Sequence, residues 1–143
     1  MNNKAEKSYL NKKARFDYAI EDSFEAGIVL NGQEIKSIRA GRVNMTSSYV
    51  KIIGGEMFWL GGDIKVSDGD NQRTRKLLVK KTQIKKLIGK TSEKGLTLIA
   101  LKLYIVRGKA KLEVGIGKGK QKHDKREDLK KKDTKRDMQR NMK

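Results

Sequence analysis

The sequence predicts a mainly β fold: a small antiparallel barrel of the oligonucleotide-binding type, with a basic C-terminal tail. Two observations support this class. About six short segments have the apolar spacing of strands, and glycine-containing turns join several of them as hairpins. Closure of the sheet would remove the strand edges through which β proteins aggregate. A β-sandwich is the alternative architecture.

The first strand region begins at Phe16. The stretches FDYAIED and FEAGIVL are two strand segments, or one long strand with its bend at Gly27. The next stretch, GQEIKSIRAG, predicts a short helix, because Ile35 and Ile38 lie three positions apart and Gly41 can terminate a helix with positive φ.

The middle of the chain contains a hairpin, a loop and a second helix. YVKII and EMFWL flank Gly54-Gly55, and a two-residue turn with positive φ at both positions favours glycine. Residues 61–76 are rich in Gly, Asp and Asn, which predicts a mobile loop. The stretch TQIKKLIG then predicts a short helix that ends at its glycine and packs on the sheet.

A last hairpin turns at Arg107-Gly108. Its second strand alternates apolar with polar or glycine residues, and the apolar set is Ala110, Leu112, Val114 and Ile116. Its first strand is apolar on both faces at the start, so we expect it to be covered on both sides there. Strict alternation places Ile99, Leu101 and Leu103 on one face.

Six aromatic side chains are predicted mainly as core residues, with exposed platforms for RNA bases as the alternative. They are Tyr9, Phe16, Tyr18, Phe58, Trp59 and Tyr104.

The pattern changes near residue 118, which divides the chain into a barrel (1–117) and a tail (118–143). The tail contains 12 basic and five acidic residues and few apolar ones. Such a segment cannot bury enough apolar surface to offset its ordering entropy, so we expect disorder in the free protein. Asp124 is a suitable helix N-cap, which favours a helix when the tail lies on a charged surface.

The charge of the chain limits its partners. There are 35 basic and 17 acidic residues, a formal net charge of +18, which indicates nucleic acid first and an anionic membrane second.

The absence of cysteine excludes disulfides and thiolate metal sites. No apolar run is long enough for a spanning helix or a signal peptide, so we expect a cytoplasmic protein without a membrane partner.

Catalysis finds little support in the sequence. His123 is the only histidine, and no phosphate-binding loop, dinucleotide fingerprint, nucleophile elbow or metal cluster is present. We therefore expect no catalytic residue, cofactor or metal. The enzymatic alternative is a nuclease that binds metal through carboxylates alone.

Five stretches together resemble the SmpB, or SsrA-binding protein, family: NKKARFDYAIED (11–22), FEAGIVLNGQEIKSIRAGRVNM (24–45), RTRKLLV (73–79), EKGLTLIAL (93–101) and GKGKQKHDKRED (117–128). The resemblance implies a monomeric bacterial adaptor, bound one per RNA, without enzymatic activity. In this family a barrel holds the tRNA-like domain of transfer-messenger RNA (tmRNA). The tail occupies the decoding centre and empty message channel of a stalled ribosome during trans-translation.

Matching of motifs extends the resemblance to individual residues. The implied RNA-binding residues are Asn11, Lys12, Lys13, Glu25, Arg39, Arg42, Leu78 and Lys111. The implied decoding-centre residues of the tail are Gly119, His123, Asp124, Lys125 and Arg126. There Gly119 would act as a hinge, and His123 would stack on a ribosomal base.

The sequence departs from the family pattern in two places: the 61–76 loop is shorter than usual, and the chain contains no proline. A ribosomal or ribosome-assembly protein that binds rRNA permanently is the alternative function. The stretches IRAGR and HDKR favour the adaptor.

Overall fold

A computed structural model describes residues 7–120 of the chain. Its elements, in order, are β1 (Lys7–Leu10), α1 (Lys12–Asp17), β2 (Tyr18–Ile28), α2 (Gly32–Arg39), β3 (Val43–Asn44), β4 (Tyr49–Ile53), β5 (Glu56–Leu60), β6 (Asp63–Ile64), β7 (Arg75–Leu78), α3 (Lys81–Lys94), β8 (Thr97–Val106) and β9 (Lys109–Gly119).

Seven strands form one antiparallel sheet in the order β1-β8-β9-β2-β7-β5-β4, and β3 pairs with β6 in a separate ribbon. This confirms the predicted mainly β class with antiparallel pairing and packed helices. The sheet is not a closed barrel. Its two edge strands, β1 and β4, do not pair with each other, although β4 lies against β8. The predicted count of about six strands was also too low. Two of the six segments are the single strand β2, and four strands of two to four residues were not predicted: β1, β3, β6 and β7.

The main core lies on the concave side of the sheet. The predicted alternation of β9 is confirmed, because Ala110, Leu112, Val114 and Ile116 are all buried in it. Trp59 is also fully buried in this core, as the core interpretation of the aromatic residues predicts. Burial of such side chains contributes about 1.5–3 kcal/mol each.

A β-bulge in β8 corrects the predicted faces of that strand. The register with β9 shifts between Ala100 and Lys102, so Leu101 is an extra residue. Ile99 and Leu101 therefore form a second cluster with Ala14 of α1, while Leu103 returns to the main core. The start of β8 is covered on both sides, as expected, but strict alternation fails because a bulge reverses which side chains face the core.

Strand β2 is one long strand, the second of the two predicted alternatives, and its pairing with β9 is regular at Gly27. Its register with β9 shifts instead between Ile20 and Asp22. Near this shift the backbones approach closely: a Cβ at Gly117 would lie 2.2 Å from the carbonyl oxygen of Ala19. Glycine is therefore required at position 117 by packing.

Local capping bounds the start of α2 and the end of α3. Helix α2 begins with a capping box, in which Asn31 and Glu34 exchange side chain to backbone hydrogen bonds, and Gly41 follows it with a φ of 78°. Helix α3 is longer than predicted. It passes through Gly89 and ends at Gly95 with a φ of 63°, because only Gly95 adopts the left-handed conformation of a helix end.

The predicted mobile loop at 61–76 is tied to the fold by Arg75. This side chain is fully buried and donates to Glu34 Oε2 (2.7 Å), to the carbonyl oxygen of Gly62 (2.6 Å) and to that of Asn71 (2.9 Å). Its guanidinium also lies 5.5 Å from the ring centroid of Trp59. The basic end of this segment is therefore partly internal, contrary to its interpretation as a free loop.

Glu34 is the acidic centre of this arrangement. Burial alone would raise the pKa of Glu34, but hydrogen bonds from Arg73, the Asn31 backbone and Arg75 hold it below its usual value of 4.5. Arg73 contributes a hydrogen bond of 2.5 Å to the other carboxylate oxygen. The carboxylate stays ionised inside the protein because its charge is paired.

We expect Glu34→Gln to lower the free energy of unfolding by about 3–5 kcal/mol at pH 7, because it leaves Arg75 buried without a counter-charge. A carboxylate with a lowered folded pKa stabilises above its unfolded pKa, and this contribution is lost as the pH falls through the folded value. The difference between variant and wild type should therefore shrink below about pH 4.5. Urea unfolding across pH 3–7 measures it.

Glu93→Gln is the matched control, since Glu93 is exposed on α3 and the same charge is removed. Its effect should stay within about 0.5 kcal/mol. A cost for Glu34→Gln that is equal at pH 7 and at low pH would contradict the role given to the ionised carboxylate.

Candidate nucleic-acid interface

The convex side of the sheet carries a group of polar and charged side chains, which we call the outer face. It consists of Glu25 and Gly27 on β2, Leu78 on β7, Lys102 and Tyr104 on β8, and Lys111 and Glu113 on β9. The residues between them in sequence point into the core, because successive side chains of a strand point to opposite faces.

One row of the outer face crosses four strands. Tyr104 pairs with Lys111, Lys111 with Gly27, and Gly27 with Leu78. Leu78 is 58% exposed although it is apolar. A Cβ at Gly27 would contact the Leu78 side chain, with 3.4 Å between the two Cβ atoms, so these two positions are direct neighbours on the outer face.

The neighbouring row contains Glu25, which pairs with Glu113, and Lys102, which pairs with the same Glu113 from the other side. Direct and diagonal neighbours on one sheet face lie within reach of long side chains. Glu25 and Lys111 are therefore close: Glu25 Oε1 lies 3.8 Å from Lys111 Nζ, with the two side chains 55% and 30% exposed.

Tyr104 completes this group. Its hydroxyl donates a hydrogen bond to Glu25 Oε2, and Lys102 Nζ lies 5.3 Å from the centroid of its ring. Burial, the hydrogen bond to Glu25 and the charges of Glu25 and Glu113 all raise the pKa of Tyr104 above its usual value. The hydroxyl is therefore a protonated donor at physiological pH.

These side chains line a shallow concavity of about 570 Å³, to which the hairpin residues Arg107 and Lys109 also contribute. Lysine and arginine bind phosphate oxygens, while a carboxylate accepts hydrogen bonds from base amines and 2′-hydroxyls. An exposed leucine offers an apolar surface for a base or ribose. The arrangement is suited to RNA.

Helix α1 adjoins the outer face. Ala14 packs on Ile99 and Leu101, and Arg15 forms an ion pair of 3.5 Å with Glu113. Lys12 and Lys13 are exposed in its first turn. This places two further cations beside the sheet.

Asn11 caps α1 from inside the protein. It is 3% exposed, its Oδ1 accepts from the Ala14 backbone, and its Nδ2 donates to the carbonyl oxygens of Met45 and Ala100. Its amide is therefore used internally, and through this cap the residue positions Lys12 and Lys13 in the first turn of α1. Direct contact of Asn11 with RNA stays a prediction.

The basic end of α2 lies near the β8–β9 hairpin. Arg39 Nη2 is 3.7 Å from where a Cβ of Gly108 would be, next to the turn that borders the concavity. Arg42 is exposed after the helix and lines a second groove with Lys36 and Lys65. Both arginines of the IRAGR stretch are thus on the surface.

Two further observations concern residues 7–120 only. Among these residues, no group of three or more histidine or acidic side chains is arranged to hold a metal ion. None of the helices in this part of the chain is long and apolar enough to cross a membrane.

Comparison with known proteins gives the family. The family model described as "SmpB protein" matches residues 8–143. The chain belongs to the SmpB family. An "SsrA-binding protein" of Bacillus pumilus is 54% identical over 136 residues, which cover 91% of this chain and 87% of that protein. One of Listeria welshimeri is 52% identical over 136 residues, which cover 91% and 88%.

A solved structure described as "tmRNA-SmpB: a journey to the center of the bacterial ribosome" has the same fold. It matches with a TM-score of 0.68 and 39% sequence identity over 85% of this chain and 94% of that one. The oligonucleotide-binding-like architecture predicted from the sequence is thus that of the SmpB family.

In this SmpB chain, three of the predicted RNA-binding residues converge on the outer face although they are far apart in sequence: Glu25, Leu78 and Lys111. Lys12, Lys13, Arg39 and Arg42 are exposed nearby or on adjoining elements. Their contact with RNA stays a prediction.

Of the predicted tail residues, only Gly119 lies within the described part. It is the last residue of β9, where it pairs with Tyr18, and Lys120 donates to the carbonyl oxygen of Asp17 at 2.8 Å. The strand therefore continues past the expected boundary at residue 117. The decoding-centre residues that lie outside the described residues are His123, Asp124, Lys125 and Arg126.

Sequence reasoning missed Lys102 and Tyr104 as members of the outer face. Tyr104 was predicted mainly as a core residue, yet it is half-buried on the convex side. A signal was present in the sequence Leu101-Lys102-Leu103-Tyr104. Lys102 and Tyr104 lie two positions apart and so share one face of β8, and a lysine on that face is typical of a solvated face.

We expect Asn11→Ala to lower the free energy of unfolding by about 1–3 kcal/mol, because it leaves buried backbone groups without partners. Thermal unfolding measures this cost. Lys12→Ala is the control and should leave the melting transition nearly unchanged while weakening RNA binding. If the Asn11→Ala chain has wild-type stability but binds RNA more weakly, the result would indicate that Asn11 contacts RNA directly.

Proposed function

We propose that this chain binds the tRNA-like domain of tmRNA and delivers it to stalled ribosomes in trans-translation. One observation carries the proposal: Glu25, Leu78 and Lys111 converge on the outer face of a chain whose relatives are named SsrA-binding proteins. The partners are tmRNA, the ribosome and its rRNA.

RNA recognition would combine three kinds of contact on the outer face. Lys102 and Lys111 pair with phosphates, Leu78 packs on a base or ribose, and Glu25 accepts hydrogen bonds from base amines or 2′-hydroxyls. The carboxylate adds specificity, because a phosphate alone would be repelled by it. Single-stranded or looped regions of a folded RNA present such bases and hydroxyls.

The cations around the outer face would supply most of the affinity. Lys12, Lys13 and Arg15 lie on α1, and Arg39 and Arg42 lie at the end of α2. Release of condensed counterions by such side chains makes RNA binding favourable and strongly salt-dependent. A folded RNA could contact both groups only if it lies across the sheet.

The chain would act as an adaptor without catalysis, in the cytoplasm, as one molecule per RNA. Its net charge of +18 and its lack of cysteine agree with a polyanionic partner in a reducing compartment. The tail (118–143) would enter the empty message channel, with His123 stacking on a base of the decoding centre and Asp124 capping the helix that follows.

We expect Lys111→Glu to weaken binding of a tmRNA tRNA-like domain by about tenfold or more, because it removes a phosphate contact and places a carboxylate beside Glu25. The melting transition should change little, since the Lys111 side chain faces outward. Fluorescence anisotropy with labelled RNA at several salt concentrations measures the affinity and its salt dependence.

Lys86→Glu is the matched control, because it makes the same charge change at an exposed position of α3, a helix that contributes no residue to the outer face. It should weaken binding only slightly through net charge. Equal effects of the two substitutions would show that the RNA responds to total charge and would overturn the assignment of the outer face.

We expect truncation after Lys122 to leave RNA binding nearly intact and to abolish peptide tagging on stalled ribosomes. The reason is that the anchoring residues precede the cut, whereas the proposed decoding residues follow it. An in vitro translation assay on a message without a stop codon measures tagging. Lys111→Glu should show the opposite pattern, with its main defect in RNA binding. Tagging by the truncated chain would refute this division of roles.

A further inference from the structure

Tyr104 has a hydroxyl contact that core packing does not require. The ring is half-buried on β8, and its hydroxyl reaches across β9 to Glu25 on β2. The bulge at Leu101 is what turns Tyr104 outward, so that it shares the outer face with Glu25 and Lys111. A phenylalanine would fill the same space without the hydrogen bond.

The two oxygens of Glu25 have different partners. Oε2 accepts from Tyr104, whereas Oε1 lies 3.8 Å from Lys111 Nζ. A charge-assisted hydrogen bond between an ammonium and a carboxylate is usually about 2.7–2.9 Å long. The ion pair between Glu25 and Lys111 is therefore long, and it does not include a close charge-assisted hydrogen bond.

A short, hydrogen-bonded ion pair between Glu25 and Lys111 would weaken RNA binding. A lysine engaged by a neighbouring carboxylate must break that contact before it can bind a phosphate, and its positive charge is partly neutralised. Glu25 is 55% exposed and can move toward Lys111 if nothing restrains it. The tyrosine hydroxyl is the restraint visible in the structure.

The ring of Tyr104 is itself fixed. Lys102 Nζ lies 5.3 Å from its centroid, within the range of a cation–π contact. The hydroxyl therefore has a defined position over the sheet, and Lys102 is kept on the same face as Lys111.

We propose that Tyr104 is a positioning residue for RNA recognition: its hydroxyl holds the Glu25 carboxylate away from Lys111, so that this ammonium stays available to an RNA phosphate and the carboxylate to a base or hydroxyl. The inference rests on the proposed function, because it deepens the role of the same outer face.

The test compares Tyr104→Phe with wild type in binding of a tmRNA tRNA-like domain over a salt series. We expect about fivefold weaker binding and a shallower salt dependence, reduced by about one phosphate contact, roughly 0.7–0.9 in log K per log salt. Tyr49→Phe is the control, since Tyr49 is exposed on β4, and it should bind like wild type.

A double-mutant cycle separates positioning from packing. If Tyr104 acts through Glu25, Tyr104→Phe should change the affinity of the Glu25→Gln chain by less than twofold.

The outcomes distinguish the inference from the function beneath it. Wild-type affinity and salt dependence for Tyr104→Phe, or an equal loss in the Glu25→Gln background, would overturn the positioning role. If the wild-type chain fails to bind the RNA, or Lys111→Glu has no effect, the proposed function itself fails. A third outcome would reject the inference and leave the proposed function standing: wild type binds the RNA, Lys111→Glu weakens binding, and Tyr104→Phe has no effect.

Discussion

The buried pair of Arg75 and Glu34 is the interaction on which the arrangement of the periphery depends. Glu34 also closes the capping box with Asn31, so one carboxylate both starts α2 and binds the guanidinium at the start of β7. Arg75 in turn holds the backbone of the 61–74 segment through Gly62 and Asn71. A buried charge without its partner is costly. The ion pair therefore couples the stability of α2, β7 and the 61–74 segment to one another.

The outer face depends on a different constraint, the extra residue in β8. Without the bulge at Leu101, the side chains that follow would exchange faces. Tyr104 would then point into the core and Leu103 to solvent. The same extra residue lets α1 cover Leu101 on the convex side while Lys102 remains accessible beside it. The bulge thus marks the boundary between the part of this face that packs and the part that is left for a ligand.

Much of this could be predicted from the sequence, and the failures have physical causes. Hairpin turns at Gly54-Gly55 and Arg107-Gly108 were correct, because positive φ limits which residues fit such turns. The bulge that places Leu101 and Lys102 on the same side of β8 was not predictable, since a bulge leaves no pattern of its own. Motif resemblance identified Glu25, Leu78 and Lys111, but it could not show that Asn11 is spent on internal hydrogen bonds, because burial depends on the tertiary fold.

The backbone bond from Lys120 to Asp17 has a consequence for the geometry of the whole adaptor. It fastens the end of β9 to the end of α1, the helix that carries Lys12, Lys13 and Arg15. The strand that ends at Gly119 therefore has a defined position relative to these three cations. An RNA bound to the cations of α1 would be oriented with respect to the end of β9 as well as to the outer face.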